Sequence, residues 1–172
     1  MINSGQSCIA AKRFIVVEKA AEEFRKVFLA RLKELKVGDP MDETTDIGPV
    51  AKQEILDSLR EQLRDAQSKG AEIIQTEHSF KQGFFFSPCA VLNPHENMRI
   101  ITEEVFGPIA PIIIVKNDDD AVRVANKTEY GLGAALWSRD IERAERLATR
   151  IEAGVIAIND TVKSDPRLPF GG

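Results

Sequence analysis

Residues 3 to 8, NSGQSC, set one cysteine directly after a run of small and amide residues. A thiolate is a strong nucleophile and a good leaving group, so Cys8 is the residue here best suited to covalent attack on a carbonyl. Ser4, Gly5 and Ser7 let the backbone turn sharply before it, and Ile9-Ala10-Ala11 after it is compatible with a helix. A thiol at the first turn of a helix lies where unpaired N–H groups and the macrodipole favour negative charge. Those N–H groups can also hold an oxyanion. The competing reading is a small buried apolar residue, the commoner fate of a lone cysteine. A second segment, EEVFGP at 103 to 108, offers two carboxylates beside an aromatic and a Gly-Pro turn. A carboxylate accepts two hydroxyl donors well. Taken alone, Glu103 and Glu104 are as readily a solvated pair or a helix-end feature.

The elements that must position these residues alternate between strand and helix. RFIVV at 13 to 17 is a β-branched run, followed by an amphipathic helix from Lys19 to Lys36 with Phe24, Val27, Phe28, Leu32 and Leu35 on one stripe. A second helix runs from Ala51 to Lys69, with Ile55, Leu56, Leu59, Leu63 and Ala66 inward and Gly70 as its left-handed cap. Strands follow at 71 to 75, 89 to 92 and 109 to 115, and Pro111 argues for an edge, start or bulge in the last of them. Asp118 is the expected N-cap of a helix to Thr128, and Asp140 that of a helix to Glu152 ended by Gly154. Strands at 132 to 137 and 155 to 158 complete the series. This alternation predicts an α/β fold, an open and mostly parallel sheet flanked by helices, with functional loops at the carboxyl ends of strands. The loop NDTVKSDPRL after residue 158 is of that kind. Trp137 and Tyr130 are expected to be packing residues, and Cys89, after Pro88, a core residue.

A length of 172 residues fits one domain, and 43% hydrophobic with 29% charged residues is ordinary for a globular protein. The formal charge is 23 minus 27, or -4, with basic residues scattered, which argues against nucleic acid as a partner. The longest apolar run, Ile109 to Val115, is far below a membrane span, and no signal peptide follows Met1. Two cysteines and no secretion signal point to reduced thiols and a cytoplasmic location. His78 and His95 stand in polar loops without a second ligand nearby, so no metal is expected. The eleven glycines form no G-x-G-x-x-G turn.

Together, NSGQSC and EEVFGP resemble the aldehyde dehydrogenase superfamily, whose signatures include N-x-G-Q-x-C and E-E-x-F-G-P. LPFGG at 168 to 172 looks like the start of that family's P-F-G-G-x-K-x-S-G stretch. The three motifs occur in the family's order and approximate spacing, and the resemblance runs through essentially all 172 residues. It implies a single catalytic, cysteine-bearing domain over 1–172. The family's dinucleotide-binding domain, its E-L-G-G general base and its oligomerisation strand are absent, so the isolated chain is expected to be inactive. The resemblance further implies that Cys8 attacks a small-molecule aldehyde, passing through a thiohemiacetal and a thioester. NAD or NADP would be bound mainly by a domain not in this chain, and the full-length protein would be a homodimer or homotetramer. Glu104 would accept the nicotinamide ribose hydroxyls and Phe106 would pack on the ribose side, while Asn3 shapes the loop. Phe170 would wall the substrate tunnel.

The segment NDTVKSDPRLPFGG resembles bacterial and archaeal succinate-semialdehyde dehydrogenases, with Lys163, Ser164 and Arg167 placed to meet a carboxylate. Solvated surface charges are the competing reading of the two cations. Lactaldehyde or glyceraldehyde oxidation, a cofactor-independent thiol esterase and a non-catalytic module are the alternatives for the whole chain.

Overall fold

The computed structural model describes the chain apart from Met1, His78, Ser79, Lys81 and Gly172. His78, expected in a polar loop, and Gly172, the last residue of the closing motif, therefore lie outside the described residues. Two compact units are present, Met1–Ile114 and Val115–Gly172. The first carries strand β1 (Phe14–Val17), helices α1 (Glu18–Glu34) and α2 (Gln53–Ser68), strands β2 (Glu72–Gln75) and β3 (Cys89–Leu92), the short helix α3 (Arg99–Thr102) and strand β4 (Ile109–Val115). Its sheet runs in the order β1-β4-β3-β2, with β3 parallel to β4 and antiparallel to the edge strand β2.

The period-2 geometry of a strand explains why helices cover both faces. All four β3 residues are buried. Cys89 and Val91 face one way, into a core shared with Leu56, Leu59 and Ala66 of α2 and with Met98, Val105 and Ile109. Ala90 and Leu92 face the other way, into a core with Val16, Ile112 and Leu32 of α1, bordered by Phe14, Phe24 and Phe28. The Phe14 and Phe28 rings meet edge to face at 5.1 Å, and Phe24 stacks on Phe28 at 5.5 Å. Gly70 takes the left-handed conformation expected after α2, φ +87°.

Pro111 departs from expectation. It lies within the inner strand β4, fully buried and opposite Val91. A proline withholds one N–H from the ladder, and the neighbouring parallel pairs Ala110–Ala90 and Ile112–Leu92 keep the register.

The second unit contains α4 (Asp118–Asn126), β5 (Gly133–Leu136), α5 (Ile141–Ala148) and β6 (Val155–Ile158), with β5 and β6 paired in parallel. Asn117, one residue before the expected Asp118, caps α4 by accepting from the Asp120 N–H at 3.0 Å. Three aspartates then fill the first turn, where the macrodipole favours them. Asp140 caps α5 as expected, accepting from the Arg143 N–H at 2.9 Å. The helix nevertheless ends at Ala148 and not Glu152, because the Thr149 hydroxyl donates to the Arg146 carbonyl and competes with the helical ladder. Trp137 and Tyr130 are not packing residues, being 65% and 58% exposed. Strand alternation carries Trp137 onto the outward face of β5 with Gly133 and Ala135. Among the described residues no helix is long and apolar enough to cross a membrane.

Candidate active site

Asn3, Ser4 and Gly5 all take positive φ, at 52°, 54° and 74°, so the chain makes a left-handed turn immediately before the cysteine. Non-glycine residues enter this region at a cost, and side-chain bonds hold them here. The Asn3 amide donates to the Gln6 carbonyl at 3.0 Å, and the Ser4 hydroxyl donates to the Gly48 carbonyl at 3.0 Å. Gln6 Oε1 accepts from the Ala51 N–H at 2.7 Å. The amide and hydroxyl residues of NSGQSC thus tie the loop to itself and to the segment leading into α2.

Cys8 itself departs from expectation in its local structure. Residues 7 to 10 form a turn closed by the Ala10 N–H on the Ser7 carbonyl at 3.1 Å, and no helix follows. Two alanines and an isoleucine are too short a run to nucleate a helix against the nearby strand β1. The helix macrodipole therefore has no part in this site. Cys8 occupies the second turn position with its thiol exposed, and no acceptor among the described residues takes its N–H.

The second motif lies directly against the first. A Cβ added at Gly5 would stand 2.3 Å from the Gly107 carbonyl oxygen, and one at Gly107 would stand 2.4 Å from Leu59 Cδ1. At Gly5 backbone meets backbone, which leaves no room for a side chain, and at Gly107 the space is taken by the packed Leu59 side chain.

Lys12 joins the two motifs from the side. Its ammonium donates to the Gly5 carbonyl at 3.2 Å and to the Val105 carbonyl at 2.7 Å. It also lies 3.9 Å from Glu104 Oε1 and 5.0 Å from the centre of the Phe106 ring. Burial pulls its pKa below the ordinary lysine value, while the charges of Glu104 and Cys8 oppose that shift. Glu104 keeps its carboxylate 42% exposed. Glu103 has a structural place instead, since it pairs with Arg99 at 2.6 Å and accepts from buried Gln62 at 3.3 Å. The Arg99 hydrogen bond holds the Glu103 carboxyl below the usual range. Gln62 also donates to the Glu104 carbonyl at 3.2 Å, fixing that backbone from behind.

Cys8, Glu104 and Phe106 are thus gathered in the first unit. Phe170, Lys163, Ser164 and Arg167 lie on one exposed segment of the second. There Lys163 pairs with Asp160 at 2.7 Å and Arg167 with Asp165 at 2.6 Å. Each cation holds its aspartate below the ordinary carboxylate range through a hydrogen bond.

The two thiols differ sharply. Cys89 is fully buried in β3, and burial pushes it up to about 12. A protonated thiol closed off from solvent does not react, so limiting iodoacetamide at neutral pH should label Cys8 and leave Cys89 intact by mass spectrometry. Labelling of Cys89 first would remove Cys8 as the reactive thiol.

Sequence reasoning missed Lys12, Gln6, Gln62 and the Gly5–Gly107 contact. Gln6 sits within the motif and was open to suspicion, but a lysine four residues past the cysteine carries no signal of its own. Its role depends on contacts more than 90 residues away in sequence.

Residues 1–172 match the Aldehyde dehydrogenase family. Succinate-semialdehyde dehydrogenase [NADP(+)] 1 of Mycobacterium tuberculosis is 42% identical over 171 residues, covering 99% of this chain and 37% of that protein. The Mycobacterium leprae succinate-semialdehyde dehydrogenase [NADP(+)] is 39% identical over the same shares. The chain thus spans little more than a third of the length of these relatives. Among solved structures, betaine aldehyde dehydrogenase from Staphylococcus aureus in complex with NAD+ superposes with a TM-score of 0.93 at 32% identity, over 98% of this chain and 35% of that one. With its cysteine loop seated against its Glu-Glu-Val-Phe-Gly-Pro segment, and with the family match running its whole length, this chain belongs to the aldehyde dehydrogenase family.

Proposed function

We propose that this chain is the cysteine-bearing catalytic part of an NAD(P)+-dependent aldehyde dehydrogenase, and that the full-length protein oxidises succinate semialdehyde to succinate. The observation that carries this reading is the exposed Cys8 thiol held against the EEVFGP segment by the Gly5–Gly107 approach and by Lys12. Cys8 sulfur adds to the aldehyde carbon, and the oxygen becomes an oxyanion that the Cys8 N–H is available to stabilise. Loss of hydride from this thiohemiacetal leaves a thioester on Cys8, and water then releases the carboxylic acid and restores the thiol. NAD(P)+, when bound, supplies the hydride acceptor. The site fits its ribose, because the exposed Glu104 carboxylate has only a long contact to Lys12 and keeps lone pairs for two hydroxyl donors. Phe106 gives that position an apolar wall. The phosphates and adenosine are assigned to sequence outside these 172 residues, which contain no G-x-G-x-x-G turn.

Support for the acid substrate comes from the names of the mycobacterial relatives and from Lys163, Ser164 and Arg167. One observation favours a second reading, a short hydroxyaldehyde such as lactaldehyde or glyceraldehyde. Both cations already have a carboxylate partner. In the full-length enzyme, Arg167→Ala or Lys163→Ala should raise KM for succinate semialdehyde about tenfold while leaving butanal nearly unchanged. Equal effects on the two aldehydes would make these residues loop-shaping and return the substrate to an uncharged aldehyde.

A further inference from the structure

We propose that Lys12 is a positioning residue, one ammonium that clamps the nucleophile loop to the cofactor segment and orients the Glu104 carboxylate for the ribose hydroxyls. The proposal rests on the aldehyde dehydrogenase reading of Cys8 and Glu104, and it assigns Lys12 a task in the same site.

The donor inventory supports it. An ammonium has three N–H groups and no acceptor. Two of them reach carbonyls of different motifs, Gly5 at 3.2 Å and Val105 at 2.7 Å, which fixes the ammonium in space. The charge that remains faces the Glu104 carboxylate at 3.9 Å and the Phe106 ring at 5.0 Å. A lysine serving only to solvate a surface would not be 22% exposed in its side chain and bonded to two backbone carbonyls 100 residues apart. The Glu104 contact is too long for a hydrogen bond, so the carboxylate is attracted and oriented while its lone pairs stay open to ribose. Gln62 holds the Glu104 carbonyl from the buried side, so the residue is fixed at its backbone by an amide and at its tip by a cation. The compact, tetrahedral ammonium suits two converging carbonyls and a carboxylate better than a planar guanidinium does.

The test uses the full-length enzyme and reads the dissociation constant of the cofactor by fluorescence, together with the NAD(P)H burst rate. Lys12→Met should weaken cofactor binding and slow the burst by about tenfold each. Lys12→Arg, which keeps the charge, should bring the affinity back to within about threefold of the parent. In a Glu104→Gln background, Lys12→Met should add less than a twofold further loss of cofactor affinity, because the group it orients has already lost its charge, while the burst still slows through loss of the clamp. Where Lys12→Met fails to fold, Lys12→Gln, which keeps donors for the two carbonyls, is expected to show the same tenfold loss. Unchanged affinity and burst in Lys12→Met alongside an impaired Glu104→Gln would overturn the Lys12 proposal alone. So would an equal tenfold loss of affinity in both backgrounds, the mark of a purely structural lysine. Unimpaired binding and burst in Glu104→Gln itself would overturn both this proposal and the cofactor role of Glu104.

Discussion

Cys8→Ala in the full-length enzyme should lower aldehyde oxidation by at least about 10⁴-fold, the scale on which removing a covalent nucleophile acts. Cofactor affinity should change by less than about twofold. The contacts that join the EEVFGP segment to the cysteine loop run through the Gly5 carbonyl, the Val105 carbonyl and Gly107, and none of them involves the Cys8 side chain. Initial rates of NAD(P)H formation and a fluorescence titration of the cofactor measure the two quantities separately. Activity within tenfold of the parent would end the thiohemiacetal mechanism. A parallel loss of cofactor affinity would show instead that the exposed thiol supports the loop.

Gly5→Ala should be the most disruptive single methyl in the first unit. Its Cβ would stand 2.3 Å from the Gly107 carbonyl oxygen, a backbone atom that no rotamer change can move aside. The φ of +74° adds the penalty of a left-handed alanine. Left-handed strain of about 1 to 2 kcal/mol and overpacking of about 1 to 3 kcal/mol give an expected destabilisation of about 2 to 5 kcal/mol. Chemical denaturation of the full-length enzyme checks the stability, and the iodoacetamide rate at Cys8 checks the loop. A loss below about 1 kcal/mol with unchanged labelling would mean that the two motifs are not held together at this point.

The α/β class and every major helix and strand were legible in the sequence, because each carries a clear period. Leu32, Leu59 and Ala66 are buried where the 3.6-residue pattern placed them, whereas Val27, expected on the same stripe as Leu32, is 55% exposed. Errors arose where a local rule met a tertiary or competing local constraint. Pro111 was judged by its missing donor, yet neighbouring register pairs keep it in an inner strand. The helix expected after Cys8 yielded to a turn, and the one expected to reach Glu152 yielded to the Thr149 hydroxyl. The candidate site was legible only as two separate motifs. NSGQSC and EEVFGP singled out Cys8 and Glu104 as candidates, but nothing in either motif disclosed that Gly5 and Gly107 touch, or that Lys12 reaches across to Val105. Such contacts belong to the folded chain and have no local pattern.

The burial of Cys89 in the central strand gives the first unit its own opening gauge. A thiol with no exposed surface in β3 becomes reachable only when the strand separates from its neighbours, so its modification rate follows the population of that opened state. Measured across a denaturant series, this rate yields the free energy and the exposed area of strand separation. Cys8, exposed throughout, serves as the internal reference for intrinsic thiol chemistry in the same sample. A variant that harms the loop alone would change only the first thiol, and one that loosens the sheet would change the second.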